Sequence, residues 1–178
     1  MRKLSMAELG RKSVAEFKAS EKTPIILVLE NIRSAYNVGS VFRTSDAFLV
    51  QSIYIIGYSA KPPHKEIKKT ALGAEETVDW KYFKTTAEAI ALLREEGFNV
   101  YAAEQAEGSY KLNAIGFEPE EKIAVVFGNE VTGVEQSTIG LCDGCLEIPQ
   151  LGMKHSLNIA TAVGVVLWEL VRTRINAS

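Results

Sequence analysis

Asparagine, arginine, glutamate and serine recur in three clusters set far apart in the chain. They are Asn31-Ile-Arg-Ser-Ala-Tyr-Asn-Val-Gly-Ser-Val-Phe-Arg43, Phe127-Gly-Asn-Glu-Val-Thr-Gly133 and Ile148-Pro-Gln-Leu-Gly-Met-Lys-His-Ser-Leu-Asn158. Side chains of these types orient a polar substrate, clamp an anion and hold one another in place. Each cluster follows a short apolar run and opens a segment that reads as a helix or a tight loop. In an open α/β sheet, ligands bind beyond the carboxyl ends of the strands. Three polar strand ends have little use in a globular chain unless they meet in one site. Gly128, Gly133 and Gly152 would let the backbone turn tightly and approach a ligand.

The elements that must position these residues alternate. Ser5 and Glu8 have capping-box spacing and predict a helix from about Met6 to Lys18. Pro24 precedes Ile25 to Leu29, a continuous apolar run typical of a strand buried on both faces. A helix opens at Asn37 or Gly39 and runs through Phe42 to Ala47. Ser52 to Ile56 is a second strand, and Pro62-Pro63 makes 59–69 a loop. Thr77 to Trp80 reads as a short strand. Thr85 and Glu88 form a second capping box, opening a helix that stops near Gly97. Strands follow at Asn99 to Ala103, Ile123 to Phe127 and Leu146 to Ile148. Between them, 104–122 is poor in apolar periodicity and reads as a loop with a short helix. A final helix starts at His155 or Ser156 and reaches about Arg172. This pattern predicts an α/β fold, a mostly parallel sheet flanked by helices on both faces.

Composition narrows the class. A chain of 178 residues, 47% hydrophobic and 24% charged, is expected to form one soluble domain. The uncharged stretch Ser156 to Trp168 is too short to span a bilayer. The N-terminus lacks the apolar core of a signal peptide, so a cytoplasmic location and no membrane are expected. A net charge of −2 is unlike a basic nucleic-acid binder. Even so, Lys61, His64, Lys65, Lys68 and Lys69 sit together, as a solvated face or as an RNA-contact patch. Cys142-Asp-Gly-Cys145 has no second pair, and His64 and His155 are the only histidines. No metal is expected, and the cysteines read as semi-buried thiols in a turn rather than a redox pair. No dinucleotide fingerprint follows a strand. Gly128 and Gly133 have P-loop spacing, but Val134-Glu135 stand where Lys and Ser or Thr are required.

In this order and at these spacings, the clusters resemble the SpoU/TrmH family of RNA ribose 2′-O-methyltransferases, within the SPOUT superfamily. Asn37-Val-Gly-Ser-Val-Phe-Arg43-Thr44 matches the first family motif, and Gly128-Asn129-Glu130 with Gly133 the second. Ile148, Pro149, Gly152, Ser156, Leu157 and Asn158 match the third. The resemblance spans about Pro24 to Arg172. It implies a SPOUT methyltransferase domain over 24–178 after a helical extension over 1–23, a C-terminal trefoil knot and a homodimer. The implied cofactor is S-adenosyl-L-methionine, bound at Gly128, Asn129, Ile148, Pro149, Gly152, Met153 and Leu157. The implied catalytic residues are Asn37, Arg43, Glu130, Ser156 and Asn158. In that reading Arg43 is central, Glu130 holds Arg43 or Asn158, and Ser156 binds near the acceptor. Family dimers pack on the last helix, here through Ile159, Val163, Val166, Leu167 and Leu170. The alternative is that these residues face the monomer's own sheet.

The implied reaction is in-line methyl transfer from a sulfonium to a ribose 2′-oxygen, which needs no metal. The family assigns Arg43 the role of general base after contact with an RNA phosphate. A guanidinium is effectively always protonated, so a phosphate clamp that stabilises the developing alkoxide is an equally good reading. Arg33, Lys61, Lys65, Lys68 and Lys69 are the expected RNA contacts. The compact layout resembles the tRNA-modifying members more than the multidomain rRNA enzymes. The competing function is a non-catalytic RNA-binding or assembly factor on the same fold.

Overall fold

The protein was analysed as a computed structural model, which describes residues 1–5, 8–10 and 12–175. The apolar runs form seven strands: β1 (Thr23–Glu30), β2 (Val50–Ile56), β3 (Trp80–Phe83), β4 (Asn99–Ala103), β5 (Tyr110–Lys111), β6 (Ile123–Phe127) and β7 (Gly144–Glu147). They pair in the order β3-β2-β1-β6-β4-β7-β5, and every pairing is parallel. Ile25, Leu27 and Leu29 of β1 enter one core layer, Ile26 and Val28 the other. Burial on both faces is why this run shows no apolar/polar alternation. On the first face lie α1 (Val14–Ala19), α2 (Ala35–Ala47), α3 (Lys65–Ala71), α4 (Ala74–Thr77) and α7 (Ile159–Ile175). The second carries α5 (Thr86–Glu95), with α6 (Gln136–Ile139) at its side.

Several boundaries differ from the sequence reading. Part of the helix expected from Met6 to Lys18 (residues 6, 7 and 11) lies outside the described residues. Ser5 and Glu8 do bond, through Ser5 N and Oγ to Glu8 Oε2 at 2.8 Å each. The helix instead starts after Ser13, whose capping box with Glu16 is followed by an apolar anchor, Phe17, buried in the main core. α2 begins at Ala35 because Ser34 Oγ accepts the Asn37 N–H. The prolines end the loop early, and α3 follows, capped by His64. Residues 74–77 form α4, so β3 starts only at Trp80. The 104–122 segment holds the two-residue strand β5 and no helix. β7 ends at Glu147, leaving Ile148 outside it.

The final helix starts later than expected, at Ile159. Asn158 caps it, its Oδ1 accepting the N–H groups of Ala160 (3.0 Å) and Thr161 (3.4 Å). Ile159, Val163, Val166, Leu167 and Leu170 all enter the monomer's own core. The alternative reading of that stripe therefore holds, and the exposed large apolar residues of α7 are Val165, Trp168 and Ile175. To reach α7, the chain leaves β7 and returns across the ends of β4 and β6, so that α7 packs beside α2. That crossing brings the third polar cluster over the other two.

Candidate active site

The three clusters meet at the carboxyl ends of β1, β6 and β7. Glu130 Oε2 accepts the backbone N–H of Arg33 (2.9 Å). Its Oε1 accepts that of Ser34 (3.1 Å) and Nδ2 of Asn37 (2.9 Å). Asn37 Oδ1 in turn accepts Nδ2 of Asn158 at 3.2 Å. The chemistry fixes both amides. A carboxylate only accepts, so Asn37 must turn its NH2 to Glu130 and its oxygen to Asn158. The α7 N–H groups only donate, so Asn158 must turn its oxygen to them and its NH2 to Asn37. Each amide keeps one N–H for a ligand oxygen. Burial of Glu130 raises its pKa. The bonds from Arg33, Asn37, its own backbone and Ser34 outweigh that effect and leave the pKa below the usual carboxylate value. Glu130 is thus a fixed acceptor at the α2 N-terminus, where negative charge is favoured.

The next loop is closed by two glycines. Asn129 and Gly133 exchange backbone bonds, Asn129 N to Gly133 O (3.0 Å) and Gly133 N to Asn129 O (2.9 Å). A Cβ on Gly128 would lie 2.1 Å from the Gly133 carbonyl carbon and 2.2 Å from Val134 N. Gly133 itself sits at φ +71°. Asn129 is buried: its Oδ1 accepts the N–H groups of Val131 and Thr132, and its Nδ2 donates to Asn31 O and to the Tyr58 hydroxyl. Between this loop and the returning 150–158 segment is a cavity of about 670 Å³. Phe127, Leu146, Ile148 and Leu157 contribute apolar wall, and Glu104, Gln105, Thr132 and Ser156 polar rim.

The structure gathers Gly128, Asn129, Glu130, Ile148, Ser156, Leu157 and Asn158 around this cavity. Asn37 adjoins it through Asn158. Pro149 instead lines a separate groove, and Gly152 and Met153 are exposed and line neither. Arg43 is exposed and, among the described residues, has no hydrogen-bond or ion-pair partner. It lies about 9 Å along α2 from Asn37 and about a third of a turn around it. Glu130 therefore holds Asn37 and the start of α2 rather than Arg43, and it reaches Asn158 only through Asn37. Arg33 is exposed, with its backbone tied to Glu130. Lys61, Lys65, Lys68 and Lys69 are exposed, Lys61 over the Tyr82 ring at 4.1 Å and Lys69 over Tyr36 at 5.9 Å. Burial, then the neighbouring Cys145, pushes the Cys142 thiol up to about 12, and both cysteines are free.

Sequence reasoning missed Glu104 and Gln105, which stand just beyond β4 in no recognisable motif. It also missed Glu30. This residue is 1% exposed and accepts the hydroxyls of Thr86 and Thr138 and the N–H of Glu135, so it fixes the far side of the glycine loop. A carboxylate ending an apolar strand was the available signal.

The sheet is all parallel, a returning C-terminal segment covers its strand-end cavity, and a carboxylate-fixed pair of amides stands at the cavity mouth. The model of the SpoU rRNA Methylase family matches residues 24–168, and the chain belongs to that family. It is 30% identical over 170 residues to the tRNA (guanosine(18)-2′-O)-methyltransferase of Thermus thermophilus, covering 96% of this chain and 86% of that protein. It is also 30% identical over 172 residues to the 23S rRNA (guanosine-2′-O-)-methyltransferase RlmB of Vibrio parahaemolyticus, covering 96% and 68%. The A. aeolicus TrmH/SpoU tRNA modifying enzyme shares the fold, with a TM-score of 0.81 at 22% identity over 92% of this chain and 82% of that one. The AdoMet-bound rRNA methyltransferase from Sinorhizobium meliloti gives 0.79 at 26% identity over 86% of this chain. The match spans only 57% of that longer protein.

Proposed function

We infer that the protein transfers the methyl group of S-adenosylmethionine to a ribose 2′-hydroxyl in structured RNA, tRNA rather than rRNA. The observation that carries this is the convergence of Asn37, Glu130 and Asn158, from three distant segments, at the mouth of one cavity. The cavity residues fit the donor. Ile148, Leu157, Phe127 and Leu146 would take the purine, and the side-chain-free Gly128 lets main-chain groups approach it. When bound, the donor supplies an electrophilic methyl on a sulfonium. The free N–H groups of Asn37 and Asn158 would hold the acceptor oxygen and stabilise the alkoxide as it develops. Glu130 is a poor proton acceptor, because its oxygens are engaged and its pKa is lowered. Arg43 clamps an RNA phosphate, a role supported by its exposed, unpaired guanidinium on the helix that carries Asn37.

The RNA lies across α2 and α3. Gly39 supports this placement: a Cβ there would meet Thr70 Oγ1 at 2.1 Å and Ile67 O at 2.4 Å, so only glycine lets α3 sit directly on α2. That contact carries Lys65, Lys68 and Lys69 to the Tyr36 side of the site, with Arg33 and Lys61 flanking. The Thermus thermophilus relative, matched over 86% of its length, is a tRNA enzyme, which favours tRNA. The working form is a homodimer. Trp168, 55% exposed, and Val165 line a groove of about 460 Å³ with Leu112, Ile148 and Pro149, a surface suited to a second copy. The domain is 24–178 after an extension over 1–23, the crossing from β7 to α7 closes a trefoil knot, and the location is cytoplasmic. No helix among the described residues is long and apolar enough to cross a membrane.

Purified protein incubated with isotope-labelled S-adenosylmethionine and, separately, total tRNA or rRNA should leave 2′-O-methylribose in the tRNA, mapped as a position resistant to alkaline cleavage. Donor binding with no methylation of either RNA would replace the enzyme with the non-catalytic factor. A monomer mass by light scattering at micromolar concentration would remove the dimer.

A further inference from the structure

The donor cavity is lined by two carboxylates, Glu104 and Glu130, and by no Lys or Arg. Glu130 is committed, its two oxygens serving three donors at the start of α2. Glu104 is not. Its Oε1 accepts the Gln105 N–H at 2.9 Å and its Oε2 that of Val134 at 3.0 Å, one donor on each oxygen. A carboxylate oxygen takes two, so each keeps lone-pair capacity for a ligand. The group is half-buried and rigidly placed. A Cβ on Gly133 would lie 2.2 Å from Glu104 Oε2, so the absence of a side chain there lets the glycine loop close onto the carboxylate. The chain thus fixes an incompletely used carboxylate inside the cavity, with no Lys or Arg in the lining and His155 at its rim.

We propose that Glu104 is the counter-charge for the sulfonium of S-adenosylmethionine, and so sets the preference for the methyl donor over its product. The inference rests on the methyltransferase reading. Donor and product share adenosine, ammonium and carboxylate. They differ in the methyl group and in the positive charge on sulfur, which methyl transfer removes. A fixed carboxylate in a partly enclosed cavity attracts the cation more strongly than it would in water, and that attraction ends with the reaction. Glu104 therefore favours donor entry and product release without touching the acceptor RNA. It is a specificity residue rather than a catalytic one.

The test is calorimetry with three ligands: S-adenosylmethionine; sinefungin, which has a carbon bearing NH3⁺ in place of S⁺–CH3; and S-adenosylhomocysteine, neutral at sulfur. Glu104→Gln, similar in shape and still able to accept the Val134 N–H, should weaken the two cationic ligands about tenfold, or about 1.4 kcal/mol, and leave S-adenosylhomocysteine within about twofold. Glu104→Asp, which keeps the charge, should retain the preference for the cations, and it serves if the Gln variant melts early. Equal weakening of all three ligands would overturn the proposal, because the carboxylate would then act on a shared part of the ligand or merely hold Val134. Unchanged affinities would overturn it as well. If the wild type bound none of the three, the methyltransferase reading would fall, and this inference with it.

Discussion

Gly128→Ala tests whether the glycine loop builds the donor cavity. The new methyl would lie 2.1–2.3 Å from Gly133 C, Val134 N and Gly133 O, all backbone atoms that no rotamer can move aside. Relief requires opening the 128–133 loop, which breaks the two backbone bonds between Asn129 and Gly133. At about 1 kcal/mol each, with about 1–3 kcal/mol for overpacking, the closed loop becomes roughly 3–5 kcal/mol less favourable. If donor binding requires the closed loop, affinity falls by about 150-fold to 5000-fold. Calorimetry with S-adenosylhomocysteine and thermal melting measure the two parts. Gly152→Ala is the control: it is also a motif glycine, but a Cβ there meets nothing within 4 Å. Its melting temperature should stay within about 2 °C of wild type, well under 1 kcal/mol. Donor affinity of Gly128→Ala within about threefold of wild type would refute the reasoning, because the loop would then tolerate a side chain that the geometry excludes.

Gly39→Ala should push α3 off α2, weaken RNA binding and leave donor affinity nearly unchanged; equal losses of both, by filter binding and calorimetry, would mean α3 does not carry the RNA surface. Arg43→Ala should lower methyl transfer by at least about 100-fold, about 2.7 kcal/mol of barrier, without changing donor affinity. Arg43→Lys should fail almost as badly if the planar fork clamps a phosphate, whereas partial activity that rises with pH would mark a proton acceptor. Glu130 has a lowered folded-state pKa, so its contribution is complete above the usual carboxylate range and disappears as pH falls below about 4. The stability advantage of wild type over Glu130→Gln, by denaturant titration, should shrink over that range; a constant difference would show the carboxylate is not anchoring α2. With its thiol pushed up to about 12, Cys142 should be alkylated at pH 8 at least about tenfold more slowly in the native than in the unfolded protein, and rapid native labelling would restore the redox reading.

The sheet was legible because burial on both faces imposes a simple pattern. Ile25–Leu29 and Ile123–Phe127 are uninterrupted apolar runs, and each became a strand near the centre of the sheet. Helix starts were less legible, because several polar residues compete at each one. Ser5 with Glu8 and Ser13 with Glu16 are equally good capping boxes, and the second opens a helix because Phe17 follows and enters the core. Asn158 displaced His155 and Ser156 as the start of α7 because it alone also bonds across to Asn37. The apolar stripe of α7 looks the same in sequence whether it meets a partner or its own sheet. Only the return of the chain beside α2 assigns Val163, Val166 and Leu167 to the monomer's core.

For the site, residue types were legible and partnerships were not. The resemblance implies that Glu130 holds Arg43 or Asn158, and it puts Asn37 and Arg43 in one motif. Helix geometry separates the two: six residues turn Arg43 away from Asn37, and Glu130 finds Asn37 and the free N–H groups of Arg33 and Ser34 instead. That pairing has a mechanistic consequence. A carboxylate that accepts two helix-start N–H groups and the Asn37 amide, with its pKa lowered, is a weak base. In the proposed reaction the Asn37–Asn158 pair, with each amide turned by a group that can only accept or only donate, would receive the oxyanion. Asn37→Asp would replace the donating NH2 with an oxygen facing Glu130. It should therefore lower transfer more than Asn37→Ala does, because it adds like-charge repulsion to the lost N–H.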